Sequence, residues 1–566
     1  MTAETAPTVG QALLTQLADR GVDYVFANPG TDFPPLIEAL AAAQADCRMP
    51  KVLPVPHENL AVAMAHGHTM VSGRPQAVML HVNVGLANAI NGLLNANRAN
   101  LPMLLMSGRT PLTEQGPAGT RSRFIHWAQE MFDQAGMVRE SVKWSFEVTS
   151  PHQLETVVDR ALALAASEPA GPVYLSLPRE PLAARMDGVS PRIPSRMAPP
   201  APPLCDPASV ARAAEWLGAA ERPLIITSGI GRTPGSSQAL ARLAEIAAAP
   251  VVTFSPRYCC LPIDHPMHVG FDPQPFLGEA DLVLVVECDV PWIPQLQSPP
   301  AAARIVHLGF DPLFARYPLR GFPADLTLAG DPTQALDQMA QLLAPQAAAV
   351  RTAIRRDAIA ADHRDRVAQI RRKAETPGQP GALSAAWVSH QIDSWRPADS
   401  ILVGEMGVSI EQVSCSRPDG FYGTSPAGGL GWSLGAALGA KLAAPDRPVI
   451  CTVGDGSYMF GNPTPAHWVA RAHGLPVLFI VFDNGGWGAV RAATRMMYPN
   501  GVAAAMDAPP LTDLRPSPAF EMVAEACGGF GQRVERPEEL LPALDRAMAA
   551  VASGSQALVS VACAMN

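Results

Sequence analysis

The sequence lacks any apolar run long enough to cross a membrane. No stretch of about 18 uninterrupted apolar residues occurs in the chain of 566 residues. The N-terminal segment MTAETAPTVGQALLTQL also has no cationic stretch followed by an apolar core, the pattern that is typical of a secretory leader. We therefore expect no membrane partner and a cytoplasmic location.

An excess of positive charge is likewise absent. Lys and Arg number 42 against 51 Asp and Glu, which gives a formal net charge of -9. This balance disfavours binding to a phosphate backbone, so no nucleic-acid partner is expected. With 48% hydrophobic and 16% charged residues, the composition is that of an ordinary folded protein.

Cysteine pairs at metal-binding spacing and a complete dinucleotide fingerprint are missing too. The nine cysteines are scattered, and the one adjacent pair, Cys259 and Cys260, has no second pair at zinc-ligand spacing. They are predicted to be buried thiols rather than disulfides or metal ligands. No full Gly-x-Gly-x-x-Gly opens a helix, which argues against a nicotinamide-dependent dehydrogenase.

The chain does contain three sets of short Val-, Ile- and Leu-rich runs that alternate with longer Ala-rich helical stretches. This pattern predicts an α/β protein with three consecutive doubly wound domains and mainly parallel sheets. A Pro-rich stretch at 190–207 and a charged helical segment at 351–381 separate the sets. The expected domains span residues 1–189, 205–345 and 380–566.

Two acidic or amide-bearing turns occur in the last set, GDGS at 454–457 and DNGG at 483–486, each after a buried apolar run. Parallel sheets bind ligands at the carboxyl ends of their strands, so Asp455 and Asn484 are expected to meet there. A carboxylate, an amide oxygen and a nearby backbone carbonyl form a hard oxygen site suited to Mg2+, which can hold a diphosphate. The alternative is two unrelated turns.

This pair of motifs resembles the signature of the thiamine-diphosphate enzymes of the acetolactate synthase, pyruvate decarboxylase and benzoylformate decarboxylase superfamily. Their signature is Gly-Asp-Gly, a helix and a strand, then Asn-Asn or a close variant, and here Asp483 replaces the first Asn. The resemblance covers nearly the whole chain and implies pyrimidine-binding, middle and diphosphate-binding domains in that order. It implies that Asp455, Asn484 and the carbonyl of Gly486 hold Mg2+. The implied contacts of thiamine diphosphate in these turns are Gly454, Gly456, Ser457 and Gly486.

Thiamine chemistry also needs a carboxyl group that exchanges a proton with the aminopyrimidine ring of the cofactor. Glu58 follows the apolar run VLPVP and opens an Ala-rich helix, which matches the family's strand-Glu-helix position. The resemblance implies that Glu58 contacts the cofactor and activates it. The alternative is an ordinary Glu in a first helical turn, where the helix dipole stabilises it.

The segment AGGLGWSLGAALGA at 427–440 is rich in small residues. Its glycines and alanines predict a closely packed helix that brings backbone to the cofactor. The family places a bulky apolar residue under the cofactor to force its bent shape, and Leu430, with Gly429 beside it, is implied in that role. The alternative is a packing helix without cofactor contact.

Two first-domain residues lie where benzoylformate decarboxylases carry a substrate-binding hydroxyl and a proton-transferring His. Thr31 follows a strand in NPGTDFPPL, and His81 ends another strand in LHVNVGLANAINGLLNA. The resemblance implies catalytic roles for both. The alternatives are a helix-capping Thr and a hydrogen-bonded core His.

The resemblance implies a lyase that decarboxylates a 2-oxo acid through an enamine intermediate. One departure concerns VPWIPQL at 290–296, where Pro294 stands at the position of the second catalytic His of benzoylformate decarboxylases. Proline cannot transfer a proton, so a carboligase or C–C lyase related to acetolactate synthase or benzaldehyde lyase, with an acyloin as substrate, stays open. A cofactor-binding protein without catalysis is the rival from another class. The joint presence of Glu58, Asp455 and Asn484 argues against it.

Some superfamily members carry FAD in the middle domain. Here Gly229 and Gly231 form a lone Gly-x-Gly after a strand, which is a weak signal, and FAD is not expected. The resemblance also implies at least a homodimer, because the pyrimidine-binding domain of one subunit faces the diphosphate-binding domain of another. A homotetramer is common in the family and is the expected assembly.

Overall fold

The fold consists of three parallel sheets that follow one another along the chain. The structure is a computed structural model and describes residues 6–43, 48–186, 197–346 and 350–565. Cys47 and the first half of the Pro-rich stretch lie outside the described residues. The predicted α/β class with three parallel-sheet domains is confirmed.

The first sheet has six parallel strands in the order β2-β1-β3-β4-β6-β5. Its strands are β1 (Tyr24–Ala27), β2 (Lys51–Pro54), β3 (Gln76–Leu80), β4 (Met103–Arg109), β5 (Ser145–Glu147) and β6 (Pro172–Pro178). The helices of this part are α1 (Val9–Asp19), α2 (Pro34–Ala41), α3 (Glu58–Ser72), α4 (Val82–Asn88), α5 (Ile90–Arg98), α6 (Ile125–Ala128), α7 (Leu154–Ala166) and α8 (Arg179–Ala183).

The second sheet has five parallel strands in the order β11-β10-β9-β7-β8. Its strands are β7 (Pro223–Thr227), β8 (Val251–Thr253), β9 (Leu282–Val286), β10 (Arg304–Gly309) and β11 (Leu326–Ala329). The helices of this part are α9 (Pro207–Ala219), α10 (Ser236–Ala247), α11 (Gln274–Leu277), α12 (Pro332–Leu343) and α13 (Val350–Lys373). The short hairpin of β12 (Gly378–Gln379) and β13 (Ala382–Leu383) follows α13, so the charged helix is shorter than predicted.

The third sheet has six parallel strands in the order β15-β14-β16-β17-β19-β18. Its strands are β14 (Ile401–Glu405), β15 (Phe421–Gly423), β16 (Val449–Gly454), β17 (Leu478–Asp483), β18 (Phe530–Val534) and β19 (Ala557–Ala562). The helices of this part are α14 (Ala385–Trp395), α15 (Trp432–Ala443), α16 (Asp455–Phe460), α17 (Pro463–Ala472), α18 (Gly488–Met497), α19 (Phe520–Ala526) and α20 (Leu540–Ala552).

The first and third sheets share one topology. When their strands are numbered separately, both run 2-1-3-4-6-5. Helix α3 follows the second strand of the first sheet, and α15 follows the second strand of the third sheet, so the two helices are topological equivalents. The two sheets therefore present equivalent strand ends, and each carries part of the predicted site.

Helices α3 and α15 pack against each other closely because glycines line their contact. A Cβ atom at Gly439 of α15 would lie 2.0 Å from the backbone oxygen of Met64 in α3, and one at Gly67 would lie 2.0 Å from that of Ala436. Real Cβ atoms do not approach backbone so closely, so only glycine fits at both positions. The small residues of 427–440 thus serve the predicted close helix packing.

The apolar runs become strands because they can be buried on both faces. All five residues of β9 (Leu282–Val286) are buried, as are all five of β7. A capping side chain begins α12 after the last strand of this sheet: the Asp331 carboxylate accepts from the backbone N–H groups of Thr333 and Gln334. No helix in the described ranges is long and apolar enough to span a membrane.

Within the three parallel sheets, the strands that the sequence pattern missed are β5, β11, β15 and β18, and each lies at an edge of its sheet; the hairpin strands β12 and β13 were missed as well. Edge strands have one neighbour, and β5, β11 and β18 are partly exposed, so they lack the continuous apolar run of a central strand. The eight described cysteines are all free, and all but Cys527 are buried, as predicted.

Candidate functional site

The two motif turns lie side by side at one edge of the third sheet. Strands β16 and β17 pair in parallel, and Gly454 at the end of β16 is in register with Phe482 near the end of β17. Asp455 begins α16 immediately after β16, and Asn484 follows β17. The parallel register therefore brings both side chains to the same carboxyl edge, as the sequence predicted.

The side chains of Asp455 and Asn484 converge on one backbone amide. The N–H of Gly486 donates to Oδ2 of Asp455 at 3.2 Å and to Oδ1 of Asn484 at 3.1 Å. The N–H of Gly456 donates to the other carboxylate oxygen of Asp455 at 2.9 Å. The carbonyl oxygen of Gly486 accepts from the N–H of Gly488 at 3.1 Å, which leaves it a second lone pair.

The Asp455 carboxyl is buried without a basic partner. It is 3% exposed, and none of the ion pairs among the described residues includes it. Burial raises the pKa of Asp455 to about 6, and the nearby charge of Asp483 raises it too. Hydrogen bonds from backbone N–H groups act in the opposite direction and lower it. A buried carboxylate beside an amide oxygen and a free carbonyl lone pair is a donor set that fits a divalent cation of the Mg2+ type.

Asp483, which departs from the family's Asn-Asn motif, is held away from this donor set. Its carboxylate accepts from the Ser517 hydroxyl at 2.6 Å and from the Arg533 guanidinium at 3.0 Å. Arg533 lies on β18, the edge strand that the sequence did not predict. The ion pair compensates the charge of Asp483, and the neighbouring Asn484 accepts from the N–H of Gly486.

The two glycines that flank Asp455 have different surroundings. A Cβ atom at Gly456 would lie 2.4 Å from the indole ring of Trp487, whereas one at Gly454 would lie 3.3 Å from Met406. The Gly456 backbone thus approaches the Trp487 ring directly. Trp487 is the N-cap residue of α18 and stays partly exposed, so it is a natural reporter of events at this edge.

A buried carboxylate that sequence reasoning missed, Glu405, caps α15. Its two oxygens accept from the backbone N–H groups of Gly431 and Ser433, both at 2.7 Å. Burial raises the pKa of Glu405, while these bonds and one from the Ser457 hydroxyl lower it. Glu405 thereby ties the end of β14 to the turn before α15, and its position at a strand end was the available signal.

The turn that carries Gly429 and Leu430 is held by the first domain of the same chain. The Asn95 side chain of α5 accepts from the N–H of Gly429 at 3.0 Å and donates to its carbonyl at 2.7 Å. The Asn91 amide donates to the carbonyl of Leu430 at 3.1 Å. The Leu430 side chain is half-buried. Its predicted role under the cofactor remains a prediction.

Glu58 is the first residue of α3 and is half-buried. Its Oε2 accepts from the Asn88 amide at 2.6 Å. The neighbouring His57 lies 2.9 Å from the Asn462 amide of the third domain. Glu58 therefore lies where the first and third domains of one chain meet, yet no hydrogen bond described in the structure joins it to Asp455 or Asn484.

Thr31 and His81 lie at the carboxyl edge of the first sheet. Thr31 is exposed, and α2 begins only at Pro34, with Phe33 as an N-cap residue that makes no side-chain bond. Thr31 is therefore not a helix cap. Nδ1 of His81 lies 2.5 Å from the carboxylate of Asp32, a neighbour that sequence reasoning did not single out.

Pro294 lies on the exposed surface of the middle domain, after β9. Among the described residues no group of three or more His, Cys, Asp or Glu side chains is arranged to hold a metal ion. The oxygen set at Asp455 relies on an amide and a carbonyl and is a different kind of donor set, one that could hold a cation.

Three parallel α/β domains, two of one topology, with carboxylate and amide groups at matching strand ends, define a multidomain α/β enzyme that binds a phosphate-bearing cofactor. Comparison with known families gives the particular class. The chain belongs to the thiamine pyrophosphate enzymes: the N-terminal TPP binding domain of that family matches residues 7–137, its central domain residues 210–339, and its C-terminal TPP binding domain residues 403–561.

Similar curated proteins extend over nearly the same length. The chain is 29% identical to benzoylformate decarboxylase of Pseudomonas aeruginosa, and the match covers 96% of this chain and 97% of that protein. It is 26% identical to the large subunit of acetolactate synthase isozyme 3 of Escherichia coli, over 97% and 94% of the two chains. The chain is thus a thiamine-diphosphate-dependent enzyme of the decarboxylase and acetolactate synthase type.

A solved structure has the same fold. The thiamine diphosphate-dependent 4-hydroxybenzoylformate decarboxylase of Rhodococcus jostii superposes with a TM-score of 0.78 at 24% sequence identity, and the match covers 99% of each chain. This likeness supports the arrangement of the three domains.

Proposed function

We propose that this protein is a Mg2+- and thiamine-diphosphate-dependent lyase that decarboxylates a small 2-oxo acid without oxidation. The observation that carries the proposal is the convergence of Asp455 and Asn484 on the N–H of Gly486. The Asp455 carboxylate is buried there and has no basic partner among the described residues. The chemistry supplied by bound thiamine diphosphate is addition to the substrate carbonyl and uptake of electrons as CO2 leaves.

In this proposal the third domain holds the diphosphate end of the cofactor. Asp455, Asn484 and the carbonyl of Gly486 would hold Mg2+, which would supply the positive charge that the diphosphate needs. The turn at the start of α16 would face the diphosphate, with the N–H of Gly456 already donated to Asp455. Gly454, Gly456 and Ser457 line this turn, although the Ser457 hydroxyl also bonds the buried Glu405.

The first domain supplies the groups that move protons. Glu58 exchanges a proton with the aminopyrimidine ring, and the Asn88 amide that donates to its carboxylate fixes the orientation of that group. His81 transfers a proton to the product, while the exposed Thr31 hydroxyl binds the substrate carboxylate. Gly429 and Leu430, held by Asn95 and Asn91, support the cofactor from below.

We propose that the middle domain binds no FAD. The N–H of Gly229 donates to the backbone oxygen of Glu287 at 3.0 Å, and a Cβ atom at Gly231 would lie 2.5 Å from the backbone oxygen of Cys259. The chain itself therefore fills the space beside both glycines.

We propose a homodimer as the minimal active unit, with a homotetramer as the expected assembly. Large apolar side chains remain exposed on the elements that carry both halves of the site, which is typical of surfaces covered by a partner. They are Val84 and Leu94 on α4 and α5, Phe460 at the end of α16, and Val490, Met496 and Met497 on α18.

The structural units proposed here span residues 1–189, 205–345 and 380–566, and limited proteolysis tests these bounds by cleavage between them.

The eight free cysteines of the described chain support a reducing compartment such as the cytoplasm. Fractionation of cells that express the protein at natural levels tests that location.

A substrate panel tests the reaction. The protein, loaded with thiamine diphosphate and Mg2+, is offered aliphatic and aromatic 2-oxo acids while CO2 and aldehyde are followed. Release of both in equal amounts supports decarboxylation. Ketol products from two carbonyl substrates, or cleavage of an acyloin without CO2, would favour the carboligase or C–C lyase alternative. The exposed Pro294, which stands in place of a His, argues for that alternative. Bound cofactor without any turnover favours a cofactor-binding protein.

A further inference from the structure

The carboxyl edge of the first sheet carries a buried carboxylate joined to an imidazole that is only partly exposed. Strands β1 and β3 pair in parallel, so Asp32 after β1 and His81 after β3 meet at this edge. Nδ1 of His81 lies 2.5 Å from Oδ1 of Asp32, and the side chains are 19% and 4% exposed. The carboxylate is thus enclosed, while one side of the imidazole remains open to the site.

The surrounding backbone leaves space for this pair at two positions. A Cβ atom at Gly30 would lie 2.1 Å from the His81 ring, and one at Gly108 would lie 1.6 Å from Oδ2 of Asp32. Both contacts are far shorter than any real Cβ contact, so each position admits only glycine while the pair stays in place. Two strand ends, those of β1 and β4, are therefore shaped around the pair.

The second carboxylate oxygen of Asp32 stabilises a strained turn beside His81. Val82 has a φ of +33°, a left-handed conformation that a β-branched residue rarely adopts. Its N–H donates to Oδ2 of Asp32 at 3.3 Å. Asp32 thus fixes both the His81 ring and the backbone on which the ring is carried.

Several charged groups surround the pair. The guanidinium of Arg179 interacts electrostatically with Asp32 and donates to the backbone oxygen of Thr31 at 3.3 Å. Arg109 and His126 line a small cavity together with Asp32 and Arg179. Arg109 is paired with Glu147 and Glu130. Burial and the nearby arginines lower the pKa of His126. Glu58 lies on the other side of Gly85, one turn into α4.

A carboxylate at Nδ1 selects one form of a neutral imidazole. The proton then lies on Nδ1, where it is donated to Asp32, and Nε2 is left on the open side of the ring as the atom that takes up a proton before it transfers one to the product. No hydrogen bond from the described residues reaches Nε2. The orientation therefore presents Nε2, and not Nδ1, to a molecule bound at this edge.

We propose that Asp32 is a positioning residue for His81: it holds the ring in the Nδ1-protonated form and aims Nε2 at the reacting substrate. This inference rests on the proposed function, because His81 there transfers a proton. Asp32 itself acts through the imidazole. The proposal adds to the site a carboxylate that sequence reasoning did not single out, although it stands next to Thr31 in NPGTDFPPL.

The first test needs no variant of Asp32 and no activity. Nitrogen-15 NMR of the protein labelled at histidine, without substrate, reports which ring nitrogen carries the proton, and a His81→Gln variant assigns the signal. We expect His81 to be protonated on Nδ1 at pH 7.5. A ring protonated on Nε2 would overturn the proposal whether or not any 2-oxo acid is turned over.

The second test uses Asp32→Asn, which keeps the size of the side chain but lets its amide donate to Nδ1. We expect the ring to become protonated on Nε2 and turnover to fall by about 10²-fold or more, with cofactor affinity unchanged. Asp19→Asn, on the exposed face of α1, is the matched control and should leave all three readouts as in the wild type.

Non-additivity separates positioning from a general loss of structure. If Asp32 acts through His81, the double variant Asp32→Asn with His81→Ala should be no slower than His81→Ala alone. Multiplied losses in the double variant, or an unchanged turnover in Asp32→Asn, would overturn the proposal. If Asp32→Asn loses cofactor binding, the wild-type NMR result decides instead.

Discussion

Asp455 and Asn484 share one hydrogen-bond donor, the N–H of Gly486, at 3.2 and 3.1 Å. The two residues are separated by a helix pair and a strand in the chain, and only the parallel register of β16 and β17 brings them together. This shared donor fixes the spacing of an acidic and an amide oxygen before any cation arrives. Such preorganisation favours tight binding of a small, hard ion.

Replacing Asp455 by Ala should remove the one charged ligand of the proposed cation site. We expect the affinity for thiamine diphosphate with Mg2+ to fall by about 10²-fold or more, because the diphosphate loses its bridge to the protein. The fluorescence of Trp487, whose ring borders Gly456, offers a direct titration signal. Asp337→Ala, at an exposed ion pair of the middle domain, is the control. Wild-type affinity in Asp455→Ala would rule out this cation site.

Replacing Glu58 by Gln should stop chemistry while the cofactor stays bound. The amide keeps the size of the side chain but cannot exchange a proton as a carboxyl does. We expect exchange of the thiazolium C2 proton for deuterium, followed by NMR after acid quench, to slow by about 10²-fold or more. Glu38→Gln on the exposed face of α2 should exchange as the wild type does. Equally fast exchange in Glu58→Gln would show that another group activates the cofactor.

Replacing Gly439 by Ala should destabilise the contact of α3 and α15. The added Cβ would lie 2.0 Å from the backbone oxygen of Met64, which cannot rotate away. We expect the free energy of unfolding to fall by about 1–3 kcal/mol or more, measured by urea denaturation. Gly321→Ala, where a Cβ would meet no atom within 4 Å, is the matched control. Equal loss in both variants would mean that the helix contact is not the cause.

Burial of neutral histidines should make the fold sensitive to acid. Burial lowers the pKa of His66, which packs edge-on against Trp432, to about 3, and it lowers the pKa of His268 to about 3. Both groups take up a proton near pH 6.5 when the chain unfolds, so stability should decrease as the pH falls from about 6.5 toward 3, by up to about 1.4 kcal/mol per pH unit for each group.

The variant His66→Gln tests this dependence. It should flatten the loss of stability between pH 6.5 and 4.5, even if its stability at pH 7.5 is also lower, because one proton fewer is taken up on unfolding. His152→Gln, at an exposed position, should leave the slope unchanged. An unaltered slope in His66→Gln would assign the acid sensitivity to other groups.

The sequence predicts most of the central strands and the two turns of the proposed metal site because both depend on local patterns. Buried strands such as β9 are continuous apolar runs, and GDGS and DNGG follow two of them directly. Whereas the edge strands β2 and β8 coincide with apolar runs, four of the six edge strands of the parallel sheets, β5, β11, β15 and β18, escape prediction because they lack a long apolar run. Their positions nevertheless matter, since β18 carries the Arg533 that pairs with Asp483.

Two further carboxylates carry only one sequence signal, a position at or just after a strand end, and that signal does not reveal their partners. Asp32 and Glu405 gain their roles from contacts with residues 49 and 26 or more positions away, namely His81 and the N–H groups that begin α15. No spacing rule encodes such contacts, because loops of any length can separate neighbouring strands of a parallel sheet. The equal topology of the first and third sheets becomes visible only in three dimensions.

Mixing two inactive variants should restore activity if each site is built from two subunits. In a dimer of one Glu58→Gln chain and one Asp455→Ala chain, one site combines both defects and the other combines two intact halves. Random exchange of subunits makes half of the dimers mixed, so about a quarter of the wild-type sites should be active. Partial denaturation and refolding of the two variants together provides the exchange.

Each variant refolded alone is the control and should remain inactive, because both of its sites carry the same defect. Light scattering of the mixture should report the mass of a dimer or tetramer. If the mixture stays as inactive as its components although mixed dimers form, Glu58 and Asp455 must act within one chain. The contact of His57 with Asn462, which already joins the two domains of a single chain, would then mark the entrance to the site.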